Sequence, residues 1–204
     1  MSVRFLHCVF LALALLPLAP ARAGDLTVSA ASSLSDAFKE IATAFETRHP
    51  GTKVRLNIAS SGTPLQQIAR GAPVDVFASA DVATLDAAAS QGLIVSAQRR
   101  NFAGNDLVLI VPTGPGVSPA PVTHLADLAS PAVRRIAIGN PASVPVGRYA
   151  RAALESAGLW SQVEPRLINA RNARQVLDYV ARGEVDAGFV YATDAALMKE
   201  KLRV

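Results

Sequence analysis

The sequence predicts an α/β protein built as two lobes, each a mainly parallel sheet flanked by helices, with a cleft between them. Three observations predict it. Short β-prone runs alternate with helical patterns along most of the chain. Those runs are apolar throughout rather than alternating, as expected for strands covered on both faces. One strongly β-prone run, Leu107 to Val111, is followed by the turn-rich stretch Pro112 to Pro121 and divides the series in two.

The first 23 residues read as an export signal. Arg4 gives a positive start, Phe5 to Leu18 is an almost unbroken apolar run, and Ala21-Arg22-Ala23 is a small-x-small cleavage site before Gly24. No later stretch approaches the ~20 apolar residues that a membrane span needs. The exported product is expected to be soluble, periplasmic and monomeric.

In lobe I, residues 24–105, Leu26 to Ser29 reads as a strand. Leu34, Ala37, Phe38, Ile41, Ala44 and Phe45 then recur at helical spacing until His49-Pro50-Gly51 stops them. Val54 to Ile58 is the next strand, Leu65 to Ala69 a short helix, Val74 to Ala78 a strand, and Val82 to Gln91 a helix ended by Gly92. In lobe II, residues 106–192, the strand Leu107 to Val111 leads to a short helix over Leu125 to Leu128 and a strand over Arg135 to Ile138. A helix over Arg148 to Ala157, a strand over Glu164 to Leu167, a helix over Arg174 to Ala181 and a strand over Ala187 to Tyr191 complete the series.

Composition narrows the partners. The only cysteine, Cys8, lies inside the export segment, so the exported product has no disulfide and no thiolate ligand or nucleophile. Without Arg4 and Arg22 the net charge falls from +4 to +2. Basic residues are scattered and aromatics sparse, which excludes a nucleic-acid surface.

Ligands of open α/β sheets bind at the carboxyl ends of strands, against helix N-termini. Four strand-to-helix turns are equipped for an anion. In Ala31-Ser32-Ser33-Leu34-Ser35-Asp36, Ser33 and Asp36 match a capping pattern; the serine either caps its own helix or turns its hydroxyl and N–H outward. In Ser60-Ser61-Gly62-Thr63-Pro64, Thr63 before Pro64 fills the cap role and leaves Ser61 spare, beside a glycine that permits close backbone approach. In Gly139-Asn140-Pro141-Ala142-Ser143-Val144-Pro145-Val146-Gly147 the N–H of Val146 is free to point into a cleft. In Arg171-Asn172-Ala173, Asn172 caps and Ala173 offers a first-turn N–H.

Tyr191 ends an apolar strand with its hydroxyl at the cleft. The two serine turns hold no Lys or Arg, and a set of neutral donors suits a fully deprotonated dianion. Arg148, Arg171 and Arg174 flank the lobe II turns and are expected in solvent.

In order along the chain, these turns, Gly71-Ala72-Pro73-Val74-Asp75-Val76-Phe77, Val144-Pro145-Val146-Gly147-Arg148-Tyr149-Ala150 and Gly188-Phe189-Val190-Tyr191 resemble the periplasmic molybdate-binding proteins of ABC importers, from about Leu26 to Ala195. The resemblance implies the two-lobed type II periplasmic binding fold, no catalysis and no cofactor. It implies molybdate or tungstate as ligand and the permease and ATPase subunits of an importer as partners. Position by position it assigns hydroxyl and N–H donors to Ser33 and Ser61, main-chain N–H donors to Val146 and Ala173, and a hydroxyl donor to Tyr191. Val146 stands where alanine is usual, which narrows the cleft. The family continues beyond the position of Val204, so residues 193–204 are read as the start of a return to lobe I.

Two other readings compete. Sulfate or phosphate would occupy the same fold. A serine hydrolase would need a base beside a serine turn, and His49 and His124 lie away from both, with no Gly-x-Ser-x-Gly elbow or Ser-x-x-Lys motif. A cation site would need clustered His or carboxylates, where these turns offer donors.

Overall fold

A computed structural model of the chain describes residues 24–113 and 122–204. Residues 1–23, which the sequence leads one to expect as an export signal, and most of the turn-rich stretch lie outside the described residues.

The first sheet follows from the first three apolar runs. β1 (Leu26–Ala31), β2 (Val54–Ala59) and β3 (Val76–Ala78) pair in the order β2-β1-β3, all parallel. The helices α1 (Ser35–Arg48), α2 (Gly62–Ala69) and α3 (Val82–Ser90) connect and follow them. After α1 the chain turns at Gly51, whose φ of 95° is the left-handed conformation that glycine adopts without a Cβ penalty. β1 is the central strand, and its last four residues are buried. The cover over this sheet is thin: α1 has no buried residue, and Val76, Val82 and Phe102 stand exposed along a groove beside β3.

The second sheet runs β6-β5-β7-β4-β8. Its members are β4 (Leu107–Pro112), β5 (Ile136–Gly139), β6 (Leu167–Ala170), β7 (Ala187–Tyr191) and β8 (Leu202–Arg203). β6-β5-β7 is parallel and built by helical crossovers, whereas β4 and β8 are antiparallel to their neighbours. The sheet is therefore mixed. β4 arrives directly from the first lobe, without a crossover helix to force a parallel direction.

Helices α4 (Pro145–Ser156) and α5 (Trp160–Val163) pack on one face around Ile136, Ile138, Leu154 and Phe189. On the other face α6 (Ala173–Ala181) and α7 (Ala192–Ala196) surround Ile110, Val176, Leu177 and Val190. Both faces of β5 and β7 are thus buried, which explains their continuous apolar sequences.

The elements depart from the sequence reading in a few places. The predicted strand over Glu164 to Leu167 slides three residues on: Glu164–Arg166 is a 3₁₀ turn with Pro165 in its first turn, and the strand is Leu167–Ala170. α4 begins at Pro145, not Arg148, because proline is well placed in the first helical turn. Residues 193–204 complete α7 and place Leu202–Arg203 against Val111 and Pro112 of β4.

Among the described residues the chain passes from the first sheet to the second near Asn105 and Asp106. Three contacts tie that passage to the end of β7: the pairing of Leu107 with Tyr191, the Ala192 N–H donating to Asp106 O at 2.9 Å, and Asn105 Nδ2 donating to Thr193 Oγ1 at 2.8 Å.

Gly147 lets α4 meet the end of β5. A Cβ there would lie 1.8 Å from the Gly139 carbonyl oxygen, a backbone atom that cannot step aside. Gly147→Ala is expected to destabilise the fold by about 3 kcal/mol, the upper end of ordinary overpacking, visible as a lower denaturant midpoint. An unchanged midpoint would refute the packing argument.

Candidate anion site between the lobes

The carboxyl ends of the parallel strands of both sheets face one another, so the turns that follow them converge. Ser33 follows β1 in a 3₁₀ turn, Ser32–Leu34, that precedes α1. Neither Ser33 nor Leu34, the residue before α1, makes a side-chain cap hydrogen bond, and Asp36 bonds not to a backbone amide but to Arg174 and Lys39. The capping pattern in the sequence is therefore not used as a cap, and the Ser33 donors are left for other use.

Ser61 stands at the start of α2 in helical conformation. Thr63 is not the cap: its N–H donates to Ser60 O at 2.9 Å, and Pro64 occupies the third helical position, because the helix starts earlier, at Gly62. Ser61 Oγ is fully buried and accepts the Ala80 N–H at 3.0 Å. With its acceptor side occupied, the hydroxyl has its own hydrogen to offer.

In the second lobe Val146 is the second residue of α4 and Ala173 the first of α6, positions whose N–H groups have no partner within the helix. Asn172 caps α6 as the sequence suggests, its Oδ1 accepting from the Gln175 N–H at 2.9 Å. Val146 and Ala173 are buried together with Val144 and Tyr191, and the half-buried Ala80 and Leu107 pack against them. The bulk of Val146 is directed partly at its own lobe: a Cβ on Gly139 would meet Val146 Cγ1 at 3.0 Å.

Ser33, Ser61, Val146, Ala173 and Tyr191 all line one small cavity of about 10 Å³, with Ser32, Ser60, Ala80 and Val144. Nothing that ionises at neutral pH is among these residues. Tyr191 is 6% exposed, donates to Ala80 O at a long 3.5 Å, and is packed edge-on by Tyr149 with ring centroids 6.5 Å apart. Burial, then the charges around it, push the Tyr191 phenol far above its ordinary value, so it remains a protonated donor.

The nearest guanidiniums are engaged with carboxylates rather than free in solvent as the sequence reading had it. Arg148 Nη2 lies 2.6 Å from Asp81 Oδ2 and 2.9 Å from Thr84 Oγ1. Arg174 lies 2.9 Å from Asp36 and, through Nε, 2.8 Å from buried Asp194. That second contact is close without hydrogen-bond alignment, so it is an ion pair by proximity. Arg171 alone of the three is exposed, as expected.

Sequence reasoning missed the turn after β3, Ser79-Ala80-Asp81, although it too ends a parallel strand. Its signal was Asp81 followed three residues later by Thr84, and Asp81 caps α3 by accepting the Thr84 N–H at 3.2 Å. The lobes are in contact here and at the neighbouring turn, where the Gly62 N–H donates to Ser143 O at 3.2 Å. Neither histidine among the described residues is near: His49 stacks on Phe45 and His124 bonds to Thr123.

Residues 26–204 match the family model described as bacterial extracellular solute-binding protein. The chain belongs to that family. Among relatives of this solute-binding protein, the molybdate-binding protein ModA of Escherichia coli strain K12 is 37% identical over 179 residues, covering 86% of this chain and 68% of the relative. That of Haemophilus influenzae is 33% identical over 180 residues, covering 88% and 71%. The solute-binding protein also superposes on the periplasmic molybdate-binding protein of Azotobacter vinelandii with a TM-score of 0.69 at 29% identity, over 81% of this chain and 71% of that one. It thus has the two-lobed type II periplasmic binding fold. The chain spans about two thirds of the length of the curated relatives it matches, from 65% to 71% for three of them.

Proposed function

We propose that this solute-binding protein captures molybdate or tungstate between its lobes, residues 24–105 and 106–192, and delivers it from the periplasm to the permease and ATPase of an ABC importer. The observation that carries the reading is the convergence of Ser33, Ser61, Val146, Ala173 and Tyr191 on one cavity. In this reading Ser33 and Ser61 donate through hydroxyl and N–H, Val146 and Ala173 through N–H, and Tyr191 through its hydroxyl.

The chemistry supports a dianion. A fully deprotonated oxyanion brings only acceptors, and each of the five positions has a hydrogen to donate. A protonated anion would need an acceptor for its proton, and no carboxylate lines the cavity.

Calorimetry of the exported form with molybdate, tungstate, sulfate and phosphate tests this. Molybdate and tungstate are expected to bind at least about a hundredfold more tightly than sulfate, a difference of some 3 kcal/mol. Equal affinity for sulfate would remove the molybdate assignment and leave the fold untouched.

Molybdate affinity is further expected to stay flat between about pH 6 and 9, because none of the proposed donors titrates there. The sign is set by Tyr191. Its pKa is raised, so the protonated donor form is present throughout this range and would be lost only above it. Affinity falling steadily as pH rises would mean that a donor is deprotonating.

A further inference from the structure

Two ion pairs join the lobes, each beside a donor turn of the second lobe. Asp81 follows Ala80, the residue whose N–H holds the Ser61 hydroxyl, and it is bound by Arg148, two residues after Val146. Asp36 lies three residues after Ser33, and it is bound by Arg174, which follows Ala173 directly. Both pairs thus bridge the lobes beside the cavity: Asp36–Arg174 directly between two donor turns, and Asp81–Arg148 between the Val146 turn and the Ser79-Ala80-Asp81 turn that holds Ser61.

We propose that these pairs are latches that set how fast the closed cleft releases its guest, Asp81–Arg148 being the stronger and Asp36–Arg174 the weaker. The proposal rests on the oxyanion reading of the cavity. Four geometric facts support it.

The partners come from opposite lobes, so either pair exists only while the lobes are together. None of the four charged residues lines the cavity, so the pairs make no direct contact with the guest. The first pair is shielded: the Asp81 side chain is 3% exposed, and Arg148 reaches its Oδ2 with both Nε and Nη2, at 3.0 and 2.6 Å, while bonding Thr84 as well. Such a two-pronged, desolvated pair resists salt screening and acts mainly on the off-rate. The second pair is more open, with Asp36 47% exposed, and is correspondingly weaker.

Arg174 is also held from behind by Asp194, which is fully buried on α7 in its own lobe. Asp194 keeps the guanidinium in place when the lobes part, so closing has only to bring Asp36 to a charge already positioned. Opening does not leave Arg174 without a counter-charge. That asymmetry makes Asp36 the removable half of the weaker latch.

The test is the dissociation of radiolabelled molybdate from the exported form, chased with excess unlabelled molybdate, alongside the association rate. Asp81→Asn keeps a residue able to cap α3 while removing the charge. It is expected to raise the off-rate about tenfold, and Asp36→Asn about two- to threefold, with association rates changed less than twofold. The preference for molybdate over sulfate should be unchanged in both. Reversing the first pair, Asp81→Arg with Arg148→Asp, should recover part of the slow release that either single reversal destroys.

The interlobe distance of the ligand-free protein, measured between spin labels on α2 and α4, gives a readout that needs no ligand. Asp81→Asn should shift it toward longer distances. Unchanged off-rates in both asparagine variants, or losses confined to the association rate, would overturn the latches. A wild-type protein that fails to bind molybdate while Asp81→Asn still lengthens the interlobe distance would overturn the ligand reading and keep the latches.

Discussion

Ser61→Ala is expected to weaken molybdate binding by about 2–3 kcal/mol, some 30- to 150-fold in Kd. Two losses coincide at this position. The hydroxyl hydrogen that the reading directs at the anion disappears, and a hydrogen bond to a charged group is worth about 1.5–3 kcal/mol. The Ala80 N–H, which donates to Ser61 Oγ at 3.0 Å, also loses its acceptor beside a fully buried side chain. That second loss falls on the free and the bound protein alike, so it should appear mainly as a lower melting temperature. Calorimetry would resolve the first and a thermal melt the second. A change of less than about threefold in Kd would mean that Ser61 does not contact the anion.

Gly62→Ala should give the opposite pattern of stability and a comparable loss of binding. A Cβ on Gly62 would lie 2.6 Å from the Ser143 carbonyl oxygen and 3.2 Å from its Cα and carbonyl carbon, all backbone atoms of the other lobe. Real Cβ contacts are not that short, so the lobes cannot close to the same distance. Within its own lobe the change is favourable, because Gly62 opens α2 with no positive φ and alanine is the better helix former by about 1 kcal/mol.

The variant should therefore melt at or above the wild-type temperature while binding molybdate about a hundredfold more weakly. Ordinary destabilising variants lose both together. Wild-type affinity in Gly62→Ala would mean that the bound protein is less tightly closed at this contact than the structure described here.

Much of this was legible because it is local. The apolar run at Ala187 could be little else than a doubly covered strand, and Asn172 capping α6 is a contact across three residues. That Ser33, Ser61, Val146, Ala173 and Tyr191 gather around one cavity was legible for a related reason. Turns after parallel strands must gather at one end of a sheet, and the two sheets face each other.

Illegible features were of two kinds. At Ser60 to Pro64 several helix starts are chemically acceptable, and the contact between Gly62 and Ser143, 81 residues apart, accompanies the one adopted. The fates of Arg148 and Arg174 depended on Asp81 and Asp36, carboxylates in the other lobe, for which no periodicity or spacing exists to be read. The register of β6 slipped because Pro165 favours a helical turn before the strand, an effect that apolar patterning does not register.

The passage at Asn105 and Asp106 would give the five proposed donors unequal lever arms. Tyr191 pairs with Leu107 at that passage, and the Ala192 N–H beside it is bonded to Asp106. If the jaws swing about this point, a group sitting on the pivot travels least, while the turn carrying Gly62 and Ser143 opens as a mouth. An outgoing anion would then shed its serine contacts early and the tyrosine late, and an incoming one would meet them in reverse.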